Sequence, residues 1–89
     1  KNLRNKLAQK EFDTANLYLQ LEQYEAAEVY FKNIINEFYD TNYINDALLN
    51  IALIIKIDSN TLAMEYLLDN KGYFTSEEEF NESINVIQD

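Results

Sequence analysis

The sequence predicts an all-α protein made of helical hairpins, and three observations predict it. The 89-residue chain has no proline and a single glycine, so almost nothing in it interrupts a long helix. Apolar residues recur at steps of three and four, which places them on one face of a 3.6-residue turn. The same alanine-anchored pattern then returns after 37 residues at Ala15 and Ala52, and after 36 at Ala27 and Ala63.

The first helix is expected from about Leu3 to Leu21, because Ala8, Phe12, Ala15 and Leu19 form one stripe, with Leu3 and Leu7 read as its backward extension. A break follows at Glu22 and Gln23. Tyr24, Ala27, Phe31, Ile34 and Phe38 then mark a second helix, from about Tyr24 to Phe38. Residues 39–42 are turn formers, and Asp40 or Thr41 is expected to cap the next helix by accepting a backbone N–H. The third segment, Tyr43 to Ile57, is too long for an ordinary strand, so it reads as a helix buried on most sides.

Asp58, Ser59, Asn60 and Thr61 form a loop with a cap. Leu62, Ala63, Tyr66 and Leu67 give a short fourth helix ending near Asn70, with Gly72 free to adopt a left-handed C-terminal conformation. Ser76 and Glu79 have the spacing of a capping box, and Phe80, Ile84 and Ile87 share a face of a fifth helix.

A period near that of the tetratricopeptide repeat, about 34 residues, implies a tetratricopeptide-like α-solenoid segment. Repeat one spans about 3–39, repeat two about 43–71, and a capping or partial helix about 76–88. Where two helices of a hairpin approach most closely a small residue is needed, and Ala15 with Ala27, then Ala52 with Ala63, supply it. Tyr18, Phe31, Ile55 and Leu67 are the large side chains expected to fill the wedge between hairpins.

Composition limits function. The chain has neither cysteine nor histidine, which removes thiol nucleophiles, imidazole bases and nearly every zinc site. No catalytic residue, cofactor or metal ligand is therefore assigned, and the chain is expected not to be an enzyme. Sixteen acids stand against seven basic residues, four of them Lys1, Arg4, Lys6 and Lys10 at the start. Such an acidic surface repels phosphate backbones, so nucleic acid is excluded as an expected partner. The basic opening reads as a solvated helix face, and no stretch has the length and apolarity to span a membrane.

Acidic groups give no ligand pattern. Glu77, Glu78 and Glu79 suit the N-terminus of a helix, where the dipole favours negative charge. Asp40 and Asn42 open like a calcium loop, but Ile44, Asn45 and Ile51 stand where ligand, glycine and carboxylate belong. Seven tyrosines remain the surplus feature. Tyr18, Tyr24 and Tyr66 lie on apolar stripes, whereas Tyr30, Tyr39 and Tyr43 lie off the stripe or in the turn, where amphipathic rings suit a protein interface. With Asp40 and Asn42 they make up the candidate protein-contact set.

The run Leu3-Arg4-Asn5-Lys6-Leu7-Ala8-Gln9-Lys10-Glu11-Phe12, the pair Ala15 and Tyr18, the stretch Glu22 to Ala27, and Phe38-Tyr39-Asp40-Thr41 resemble the C-terminal tetratricopeptide repeats of BamD. BamD is the lipoprotein of the outer-membrane β-barrel assembly machinery. The resemblance covers residues 3 to 57, and its most specific part is the opening run. It implies a protein-binding scaffold on the periplasmic side of the outer membrane, tethered through a lipidated cysteine upstream. It also implies docking to a POTRA domain of the barrel-inserting subunit.

Tyr39 replaces the proline usual in the family's turn, Asn42 replaces a proline or small polar residue, and Tyr30 stands where a basic residue is common. An alternative reading is a periplasmic tetratricopeptide adaptor in another envelope process such as cell constriction, whose repeats share the alanine and tyrosine spacing. The opening run favours BamD.

Overall fold

A computed structural model describes the chain from Asn2 to Asp89, so Lys1 of the basic opening lies outside the described residues. Five α-helices follow one another: α1 Asn2–Gln20, α2 Tyr24–Glu37, α3 Ile44–Lys56, α4 Asn60–Asp69 and α5 Glu77–Gln88, with a short 3₁₀ turn at Lys71–Tyr73. There is no strand among the described residues. Helix α1 packs on α2, α2 on α3, and α3 on α4, while α5 returns to lie against both α3 and α4. The result is a slab of 35 × 31 × 17 Å, two consecutive hairpins with a fifth helix closing one end.

The alanines of the repeat pattern lie in the core. Ala15, Ala27, Ala52 and Ala63 are all fully buried, as are Phe31 and Leu67. Tyr18 and Ile55 are only partly buried and flank the core instead of filling it. Helix α3 is the centre of the molecule. Ile44, Ala47, Leu48, Ile51, Ala52 and Ile54 are buried along it, because α2, α4 and α5 together cover most of its circumference.

The ends of the helices follow local chemistry, with three corrections. Ser59 caps α4, its hydroxyl accepting from the Leu62 amide at 3.1 Å. Ser76 caps α5, its hydroxyl accepting from the Glu79 amide at 3.1 Å, but the Ser76 amide does not donate in return to the Glu79 carboxylate. The expected capping box is thus half a box. Asp40 does not cap α3: the N-cap residue is Tyr43, whose side chain makes no capping hydrogen bond, and of the two expected residues only Thr41 reaches the helix start, its hydroxyl accepting weakly from the Tyr43 amide at 3.5 Å. The Asp40 carboxylate is already engaged elsewhere, and the Thr41 hydroxyl donates back to the Phe38 carbonyl at 2.6 Å.

Gly72 is in the 3₁₀ turn and does not adopt the left-handed conformation. That conformation occurs instead at Glu22, with φ of 59°. There the Gln23 amide reaches the Tyr18 carbonyl at 2.9 Å and the Glu22 amide reaches Leu19 at 3.0 Å, the paired bonds of a Schellman motif that end α1.

Leu3 and Leu7 do not extend the buried stripe of α1 and are exposed. Stepping back from Ala8 by three or four residues leads to Asn5 and Arg4, so those positions, not Leu3 and Leu7, are in phase with the core.

Candidate protein-binding surface

The connection between α2 and α3 is short, exposed and held from below by Arg4. The Arg4 guanidinium donates to the Asp40 carboxylate from Nη2 at 2.7 Å and from Nε at 3.0 Å. The same Nη2 donates to the Glu37 carbonyl at 2.6 Å, satisfying one of the orphan acceptors at the C-terminus of α2. Its Cζ also lies 5.4 Å from the centroid of the Phe38 ring, within cation–π range.

One side chain from the start of α1 therefore fixes a carboxylate, a helix end and an aromatic ring in the next connection. The hydrogen bond from Arg4 holds Asp40 below the usual carboxylate range, and the Asp40 bond raises Arg4 in turn. Sequence reasoning had assigned Arg4 to a solvated basic face and missed this role. In-phase spacing from Ala8 was the signal that could have found it.

Within this clamp, Thr41 is buried and its hydroxyl and amide both bond to Phe38, which closes the turn tightly. The turn exposes what remains. Tyr39 is 58% exposed. Asn42 is exposed as well, its amide held weakly by Asn5 Oδ1 at 3.4 Å.

The other two tyrosines of the predicted contact set are engaged inside the molecule. Tyr30 stacks on Tyr18, ring centroids 5.5 Å apart and planes 14° from parallel, bridging α2 to α1. Tyr43 packs against Phe12 at 5.2 Å, and Phe12 in turn meets Phe31 edge-on at 5.9 Å. Both tyrosines are half-buried. Of the five predicted contact residues, then, Tyr39, Asp40 and Asn42 are grouped on one exposed turn, and Tyr30 and Tyr43 serve packing.

A second concave surface lies at the opposite end of α2. Tyr24, Ile54 and Ile57 form its apolar floor and Glu25, Glu28 and Asp58 its rim, around a groove of about 370 Å³. Glu28 is paired with Lys32 at 3.0 Å one turn on. Sequence reasoning did not bring these residues together, because the groove depends on how the end of α3 meets the start of α2. Among the described residues no three acids converge as a metal site requires, and no helix is long and apolar enough to cross a membrane. Set beside known proteins, the chain is matched by no family model, no curated protein and no solved structure.

Proposed function

We propose that this chain is a protein-binding scaffold of tetratricopeptide type, resembling the part of BamD that docks subunits for inserting β-barrels into the outer membrane. The observation that carries the reading is an exposed tyrosine on a turn that is fixed before any partner arrives. A turn already held in place loses little backbone freedom on binding, and tyrosine offers a large contact area with only two torsions to fix. The turn containing Tyr39 and Asp40 and the Arg4 that pins it both belong to the stretches that carry the resemblance, which supports assigning them one role. The reading includes no catalysis, in keeping with a chain that contains neither histidine nor cysteine. It places the protein on the periplasmic face of the outer membrane with a POTRA domain as partner.

The test is binding of the chain to a POTRA domain of the barrel-inserting subunit, measured by biolayer interferometry. Tyr39→Ala is expected to weaken binding about tenfold or more, as for a buried aromatic anchor. Arg4→Ala is expected to weaken it less, by loosening the turn. Absence of binding, or binding indifferent to both substitutions, refutes the reading.

A further inference from the structure

The groove between the start of α2 and the end of α3 holds two chemistries in one space. Tyr24, Ile54 and Ile57 make its apolar floor, and Glu25, Glu28 and Asp58 stand around it. Every lining residue lies between positions 24 and 58, with further helices before and after it in the chain, so internal elements alone build the groove.

Its walls are fixed in advance. The left-handed turn at Glu22 sets the start of α2, and the Ala27 amide donates to the Gln23 carbonyl at 3.0 Å. At the other wall the Asp58 and Ser59 amides both donate to the Ile55 carbonyl, at 3.1 and 3.0 Å, which holds the backbone of Asp58 at the rim. Ile54 belongs to the hydrophobic core and Tyr24 packs against it, whereas Ile57 is 59% exposed. A site already ordered in this way loses little freedom when it is filled.

The charges select the occupant. Lys32 takes Glu28 at 3.0 Å, but among the described residues Glu25 and Asp58 form no ion pair. Lys56, in the last turn of α3, does not line the groove. From residue 11 onward the chain has 3 basic residues against 16 acidic ones, so the field here draws a cation and repels the phosphates of nucleic acid or lipid. The C-terminal end of α3 favours positive charge as well, and Glu25 in the first turn of α2 offsets the positive end of that helix.

A cation that also covers isoleucine and a tyrosine ring is an arginine side chain. Its methylenes lie along apolar surface, its planar guanidinium stacks on an aromatic face, and its fork of donors matches a carboxylate. A lysine ammonium, compact and strongly hydrated, stacks and pairs less well. A space of about 370 Å³ is at the small end of ligand sites, which suits one anchoring side chain.

We infer that this groove docks a segment of a partner protein through an arginine, the guanidinium on Tyr24 between Glu25 and Asp58 and the methylenes on Ile54 and Ile57. The 14 residues of α2, about 21 Å, separate it from the Tyr39 turn, so both can be occupied at once and neither assignment rests on the other.

An NMR titration of the nitrogen-15-labelled chain tests this. The probes are three capped pentapeptides, leucine at each end and alanine inside it, with arginine, lysine or citrulline at the centre. The arginine peptide is expected to shift the amides of Tyr24 to Glu28 and of Ile54 to Asp58 saturably and to leave those of Tyr39 to Asn42 in place. Citrulline keeps the shape without the charge, and its peptide is expected to bind about tenfold more weakly, the loss of a charge-assisted pair. A chain carrying Glu25→Gln and Asp58→Asn is expected to lose a similar factor with its helical circular dichroism unchanged, since both side chains are exposed. Glu77→Gln with Glu78→Gln, two exposed acids on α5, is the control and is expected to leave binding as it was. No saturable shift at the groove overturns the proposal. So does a lysine or citrulline peptide that binds as well as the arginine one. A control pair that weakens binding as much as the groove pair also overturns it, because the arginine would then be a counterion of the acidic surface at large.

Discussion

Helices α1 and α3 open the two hairpins and sit in equivalent places in the repeat pattern, yet they are built on opposite plans. Among the described residues of α1 only Ala8 and Ala15 are completely buried, and its other core contacts are half-buried rings and aliphatics. The 13 residues of α3 bury six. The cause is position: α3 has neighbours on three sides, whereas α1 packs mainly on α2 and touches the following connection through Arg4, Asn5 and Phe12. An edge helix needs only small residues on its inner face and can present function elsewhere. Here it holds the Asp40 turn with Arg4.

The comparison is sharpest where side chains are cut back. Phe31 of α2 meets Phe12 of α1 in the core and is fully buried, and Phe31→Ala is expected to cost about 3–5 kcal/mol. That is comparable to the whole stability of a domain this size, about 4–13 kcal/mol. Ile51→Ala in α3 is expected to cost about 2–5 kcal/mol, while Leu17→Ala, at an exposed position of α1, should stay within about 0.5 kcal/mol. Urea unfolding of the three variants checks this. Equal losses for Ile51→Ala and Leu17→Ala would show that α1 is not an edge.

Close approach within the second hairpin gives the next effect. Ala52 is fully buried, so Ala52→Leu forces methyl groups into filled space and is expected to destabilise by about 1–3 kcal/mol, read as a fall in the urea midpoint. If it is neutral, α3 and α4 are not in close contact there.

The connection at Glu22 is expected to move the other way. A left-handed backbone costs a residue with a side chain about 1 kcal/mol, and Glu22→Gly removes that cost in a motif where glycine is the usual occupant. A gain of up to about 1 kcal/mol is therefore predicted, smaller if the freer unfolded chain offsets it.

Alkali probes the second hairpin. Burial, with help from the Glu28 and Tyr73 charges, pushes Tyr66 up to about 12 from 10.0. Because the folded value is raised, the contribution is fully present below pH 10 and is lost as pH climbs through about 12. Tyrosinate absorbance is expected to show a late-titrating group that disappears in Tyr66→Phe.

Much of this was legible in the sequence because the helices are long and their apolar steps regular. Each predicted boundary falls within a residue or two of the observed one, since Ser59 and Ser76 cap as their side chains dictate. The burial of the four alanines was legible for the same reason. What failed depended on distant partners. Asp40 has the right chemistry for a cap and the right place, but Arg4, 36 residues earlier, takes its carboxylate. Tyr30 looked free because it lies at the margin of the α2 stripe, and only the stack on Tyr18 across the hairpin shows its use. Leu3 and Leu7 were folded into the buried stripe of α1 because leucine alone does not say which side of a helix is covered.

The smallest effect on stability and the most telling for function is expected from the Arg4–Asp40 pair. Both side chains are about half exposed, 44% and 52%, so solvent and salt screen their attraction and the pair contributes little to holding the fold. Its consequence is local order. Asp40 is depressed below 3.8 by the Arg4 hydrogen bond, so whatever the pair contributes is present above the unfolded value and is lost as pH falls through the lower folded one. An NMR titration of the Asp40 carboxyl carbon is expected to give a midpoint below 3.8 that returns toward it in Arg4→Ala. In the same variant, amide exchange at Tyr39 to Asn42 should quicken while the urea midpoint hardly moves. A large loss of stability instead would make Arg4 part of the core frame. The contrast between a thin edge helix and a packed central one would then need to be drawn again, with α1 held from its end as firmly as α3 is from its sides.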